Sequence, residues 1–225
     1  MIIEPLISAP QSASSRKTSR RLALGAIAGP LLFTGAWSVL SVLSPGYTLW
    51  GTVIAPYSAV SQPISGLGLG PTGPAMNTAF VICGVVLLVG VIGVFRSVGQ
   101  LSATSRRLCT GLLALTPVGM VVCGIFTLES FFLHFLGFLL AAGAPVIAFA
   151  VTGFVLRRIS AWHRFGPLLM WGSPLTLALM VVYFASFTPT VAGVQAGVAG
   201  LTQRFLVVEV HAWFVAMGWL ALRHR

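Results

Sequence analysis

LALGAIAGPLLFTGAWSVLSVL, residues 22–43, runs without a charged side chain. As a helix rising 1.5 Å per residue it would extend for about 33 Å, enough to cross a hydrocarbon core about 30 Å thick. The run is too long for the apolar region of a cleaved signal peptide, so it reads as a span that stays attached. Five more apolar runs follow, at about 76–95, 108–126, 133–156, 165–187 and 205–222. The chain has 57% hydrophobic and only 7% charged residues, where soluble proteins average roughly 25% charged. The expected fold is therefore all-α, a polytopic membrane protein built as one bundle of six transmembrane helices over residues 22–222. Residues 1–21 are polar, Ser-rich and end in a basic cluster, which reads as a disordered cytoplasmic tail, with 223–225 as a short cytoplasmic end.

The net charge of +10 raises the question of a nucleic-acid partner, and the placement of the charges answers it. Basic residues cluster at Arg16–Arg21, Arg96, Arg106–Arg107, Arg157–Arg164 and Arg223–Arg225, beside or between apolar runs. Such short connections do not offer the extended surface that phosphate binding needs, so no nucleic acid is expected. Segments 44–75, 127–132 and 188–203 contain no Lys or Arg. By the positive-inside rule both termini are cytoplasmic, and Arg204 is the one basic residue of thirteen on the other side.

Small residues recur at helix-packing spacing, in Gly25 and Gly29 and again in Gly84, Gly90 and Gly93, where they would let helix backbones approach. Pro117, Pro145 and Pro174 fall inside the third, fourth and fifth spans and should kink them. Cys83, Cys109 and Cys123 lie within or at the edges of spans and read as small core residues, not as a disulfide. Tyr47, Trp50 and Tyr57, with Trp162 and Trp171 at the opposite face, suit interfacial anchoring, and Trp213 and Trp219 suit packing.

The first connection holds an unusual stretch, YSAVSQPISGLGLGPTGPAMN at 57–77, rich in Gly, Pro and Ser and without charge. It is expected to lie over the outer end of the bundle as a lid. The candidate functional residues fall on the same side: Ser65 and Asn77 of the stretch, Glu129 and His134 at the third-to-fourth turn, and Arg204 and His211 on the last span. Together they would form a polar pocket for a lipid or small amphiphile, with Arg204 meeting an anionic group. A plainer alternative has Glu129 and Arg204 as an ion pair pinning two helix ends. Another makes Ser65 a nucleophile with His134 or His211 as base, an intramembrane hydrolase acting on a lipid. A third is a structural subunit of a membrane complex. No H-x-x-x-H or H-E-x-x-H spacing is present, so neither a metal nor another cofactor is expected. The role of Glu209, about 160° around its helix from His211, stays open, as do catalysis itself and the oligomeric state.

Several of these residues fall in a pattern that resembles the prokaryotic membrane family catalogued as domain of unknown function 998. The pattern comprises Ile64-Ser65-Gly66-Leu67-Gly68 after the first span, Asn77 opening the second, Glu129 followed by His134, and Gly200-Leu201-Thr202-Gln203-Arg204 before the sixth. The resemblance implies a bacterial plasma membrane and a six-span fold, and no reaction. It also implies an Asp or Glu where this chain has Gly66, so an acid beside Ser65 would have to come from Glu129.

Overall fold

The computed structural model describes residues 13–188, 190–191 and 194–223. Among these, six helical segments are long and apolar enough to cross a membrane: Lys17–Leu43, Gly70–Ser97, Ala103–Ile125, Phe131–Leu156, Phe165–Ala185 and Ala199–Arg223. In helix order they are α1 (Ala13–Ala23) continuing into α2 (Gly25–Leu43), α3 (Gly73–Ser97), α4 (Ala103–Ile125), α5 (Phe131–Phe138) continuing into α6 (Ala144–Leu156), α7 (Phe165–Ala185) and α8 (Ala199–Arg223). Each packs on the next, and α8 returns to α2, closing a ring. Helix begins at Ala13, inside the segment expected to be an unstructured tail through Arg21. Residues 1–12 of that tail, with Glu4, and the end at 224–225 lie outside the described residues.

Backbone proximity decides the packing. A Cβ on Gly90 would stand 1.9 Å from the Ala26 nitrogen, and one on Gly25 2.3 Å from the Val86 carbonyl, so α2 and α3 touch main chain to main chain. Gly84 meets the Pro117 carbonyl in the same way, and Gly119 meets Gly137 and Ala141. In lipid, where apolar burial gives helices no reason to pair, such close approach supplies the packing energy. The fourth span departs from a plain kinked helix. Its residues Leu139–Gly143 form one turn of wider π helix immediately before Pro145, which lacks the N–H that would bond the Ala141 carbonyl.

The first span's start and the last span's end share one end of the bundle, where the Arg20 guanidinium donates to the Leu222 carbonyl. The connections around Gln100 and Ser160 meet at 3.4 Å. Trp162 is not an interfacial anchor: it is buried at 3% exposure and packs edge-on against Phe165. Trp171 is 73% exposed and Trp219 half-exposed, while Trp213 packs between Phe149 and Phe165.

At the other end, a hairpin of β1 (Tyr47–Leu49) and β2 (Thr52–Ile54) turns through Trp50 and Gly51, both with positive φ. Positive φ at both turn residues matches the right-handed twist of the strands. A second short hairpin, β3 (Thr190–Val191) with β4 (Val194–Gln195), lies in the last connection. The Gly-rich stretch is not a lid laid over the bundle but a plug within it. Residues 61–69 are all buried, and Ile64–Gly68 form a 3-10 turn wedged among α2, α3 and α8.

Candidate functional site

An irregular backbone buried in a membrane protein must have its polar groups answered by protein, and the plug's partners can be named. The Ile64 amide donates to Gln203 Oε1 at 2.6 Å. The Gly66 amide donates to the Pro63 carbonyl and the Leu69 amide to that of Gly66. Thr72 Oγ1 donates to the Leu67 carbonyl, Asn77 Nδ2 to that of Gly68 at 3.0 Å, and Tyr57 Oη to that of Pro63 at 3.1 Å.

Arg204 completes the set. Its Nη1 lies 2.8, 3.1 and 2.9 Å from the carbonyls of Ala59, Gln62 and Gly200, and its Nη2 lies 2.9 Å from Ser41 Oγ and 2.8 Å from Tyr57 Oη. The guanidinium also sits 5.2 Å from the Trp37 ring centroid. Arg204 is thus a structural clamp between α8, the plug and α2, and meets no carboxylate among the described residues. The proposed ion pair with Glu129 is absent: Glu129 is exposed, and its carbonyl accepts from Trp50 Nε1 at 3.5 Å. Asn77 likewise holds the plug. The last helix starts at Ala199, six residues before the expected 205, because Gln203 and Arg204 are consumed inside the protein and need no interfacial water.

Two of the expected site residues do meet. Ser65 Oγ lies 2.8 Å from His134 Nε2, and His134 Nδ1 lies 2.7 Å from the Phe126 carbonyl. A carbonyl only accepts, so in the neutral ring Nδ1 carries the hydrogen and Nε2 presents its lone pair to the Ser65 hydroxyl. Both residues are buried, Ser65 at 7% and His134 at 5% exposure. The plug positions the serine, and the first turn of α5 positions the imidazole.

The pair lies in the wall of a cavity of about 340 Å³ between the first hairpin, the plug, α5 and α7. Its buried lining brings Ser65, His134, Tyr47, Tyr183 and Gln203 together beside the apolar Ile54, Pro63 and Phe138. Its outer walls are the rings of Trp50, Phe131, Phe135, Phe184 and Phe187, each between 38% and 64% exposed. Phe131 stacks on Phe135 at 5.9 Å, and Phe135 meets Phe184 across to α7 at 6.3 Å. Tyr47 and Trp50 are therefore cavity walls and not only interfacial anchors. The signal that would have found the cavity is the helical spacing of Phe131, Phe135 and Phe138 on one run and of Tyr183, Phe184 and Phe187 on another.

Gly66 has its own reason. A Cβ there would lie 2.7 Å from the Tyr47 ring, so the ring fills the space beside Ser65 where the resemblance implied an acid, and exposed Glu129 does not replace it. Burial, with Tyr57 nearby, pushes the Tyr47 hydroxyl above the usual tyrosine range, and burial raises Tyr57 against the opposing pull of Arg204.

His211 stands apart from the large cavity. It is 5% exposed, edge-on to Phe33 at 5.6 Å, and its Nδ1 has no hydrogen-bond partner among the described residues. It lines a smaller cavity of about 50 Å³ behind Ser65, together with Thr116, Cys123 and Gln203. Glu209 faces α7, its carboxylate accepting from Thr176 Oγ1 at 2.8 Å and Trp213 Nε1 at 2.5 Å. No group of three or more His, Cys, Asp or Glu side chains placed to hold a metal occurs among the described residues.

Comparison with known proteins gives a family model, described as a protein of unknown function (DUF998), matching residues 27–220. No curated protein and no solved structure matches the chain.

Proposed function

Because this chain belongs to the DUF998 family of proteins of unknown function, we propose from its own geometry that it binds a membrane amphiphile, one apolar chain lying among the rings and a polar group reaching Ser65 and His134. The observation that carries this reading is the mostly apolar 340 Å³ cavity, in which a few buried hydroxyl, amide and imidazole groups sit behind half-exposed aromatic rings. Ligand sites are commonly apolar clefts of about 300–1,000 Å³ with a few polar groups that set orientation. A volume at the low end suits a single chain. The basic connections sit at the opposite end of the bundle, so the positive-inside rule turns the cavity toward the outer face of a bacterial plasma membrane.

Trp50 at the cavity rim supplies the test. Titrating the purified protein in detergent with a brominated single-chain alcohol should give saturable quenching, and Trp50→Phe should remove that component. Phe135→Ala strips a wall ring and should weaken binding by about tenfold or more, from roughly 1.5–3 kcal/mol of aromatic burial. Quenching that rises linearly with bromoalcohol, equal in native and Phe135→Ala protein, would refute the site.

A further inference from the structure

We infer that this site is catalytic, with Ser65 as the nucleophile and His134 as the general base of an acyl transfer that cleaves a carboxylic ester in the bound amphiphile. The inference rests on the binding reading and adds a reaction to it. Three observations support it. The first is the directed hydrogen-bond relay. Phe126 carbonyl, His134 and Ser65 are joined at 2.7 and 2.8 Å, which places the hydrogen on Nδ1 and leaves Nε2 free to take the serine proton. A nucleophile, a base within hydrogen-bond reach and a third group orienting that base are what activation of a serine requires. Here the orienting group is a carbonyl and not a carboxylate.

The second observation is a tyrosine hydroxyl in the same cavity whose own hydrogen is left to donate, which suits a developing oxyanion. Gln203 Oε1 is held by the Ile64 amide, next to Ser65, and Gln203 Nε2 donates to Tyr183 Oη at 3.3 Å. That bond occupies a lone pair of the Tyr183 oxygen and leaves its O–H to donate in the same cavity. The third is a water compartment. The smaller cavity touches Ser65 from behind, and its lining includes Thr116 and His211, whose Oγ1 and Nδ1 have no protein partner among the described residues. At about 50 Å³ it exceeds the roughly 10–15 Å³ that one water needs. Hydrolytic water can thus reach Ser65 from a cavity other than the one proposed to hold the apolar chain.

The chemistry closes on itself. The Ser65 hydroxyl gives its proton to His134 Nε2 as Oγ bonds to the ester carbonyl carbon, and the carbonyl oxygen becomes anionic. Collapse breaks the bond to the alcohol, which leaves with the proton from Nε2 and an acyl group on Ser65. Water then gives a proton to Nε2 and its oxygen to the acyl carbon, and collapse releases the carboxylic acid while the proton returns to Ser65 Oγ.

The experiment uses the full chain in detergent and a long-chain alkyl fluorophosphonate, whose tetrahedral phosphorus bonds to a nucleophilic serine as fluoride leaves. The native protein should gain one phosphonyl adduct, and peptide mass spectrometry should map it to Ser65 without recourse to a variant. Ser65→Ala should show none. His134→Gln, which keeps a hydrogen-bonding side chain but no base, should label at least about 10²-fold more slowly. The bromoalcohol titration is run on the same samples. Saturable quenching with no adduct on Ser65 overturns the catalytic inference and leaves the binding reading standing; loss of both overturns both. An adduct mapped elsewhere, or native-rate labelling of His134→Gln, also overturns the inference.

Discussion

Replacing Arg204 by Lys probes the plug without removing its positive charge. The guanidinium serves five acceptors between 2.8 and 3.1 Å on α2, the first connection and α8. An ammonium gathers three hydrogens on one atom, where Nη1 and Nη2 fan four in a plane, so it cannot span both groups of acceptors and the two served by Nη2 lose this donor. Each hydrogen bond to a charged group contributes about 1.5 kcal/mol or more, which makes the loss about 3 kcal/mol. Among the described residues Arg204 hydrogen-bonds to the first connection, α2 and α8 and to neither α3 nor α4, so the loss should appear as local opening and not as a weaker bundle. At 1.4 kcal/mol per factor of ten, the opening equilibrium rises about 10²-fold. Hydrogen exchange with mass spectrometry reads this directly. The amides of Gln62, Gly66 and Leu69, bonded to the carbonyls of Ser58, Pro63 and Gly66, should exchange about 10²-fold faster in Arg204→Lys, while the interior of α3 keeps its native rate. Plug exchange within threefold of native would show that Arg204 does not clamp it. Equal acceleration in α3 would show that the clamp supports the whole bundle.

Three further expectations concern the site. Gly66→Ala puts a Cβ 2.7 Å from the Tyr47 ring, which must shift, so thermal melts should show a loss of about 1–3 kcal/mol together with a changed bromoalcohol affinity. Tyr183→Phe removes the proposed oxyanion donor while keeping the ring, so fluorophosphonate labelling should slow about 10²-fold with bromoalcohol binding unchanged; a parallel loss of binding would assign the hydroxyl to affinity instead. The contribution of Tyr47 to stability should be complete up to about pH 10, the ordinary tyrosine value, and fall above it. Tyr47 is raised by burial, so the folded state holds its proton more tightly than the unfolded one, and that contribution fades as pH climbs through the raised value. A melt that weakens between pH 8 and 9, with tyrosinate absorbance appearing there, would contradict the burial of Tyr47.

Residues 22–43 and the five runs after them determine a six-span helical protein by length and apolarity alone, because a bilayer demands about 20 apolar residues per helix and little else. Gly25, Gly84 and Gly90 mark close-packed faces for a comparably local reason, since only a missing side chain lets backbones touch. The pairing of Ser65 with His134 was one of two alternatives in the sequence, His211 being the other. Residues 69 and 146 positions apart carry no spacing rule that chooses between them. The tertiary structure chose by folding residues 61–69 inward, which put Ser65 against α5 and left His211 behind it. Arg204 shows the same limit. One cation among few acids suggests a salt bridge, yet the first connection offered three carbonyl and hydroxyl oxygens, at Tyr57, Ala59 and Gln62, beside Ser41 of α2 and Gly200 of α8, and that grouping exists only once the loop is folded into the bundle.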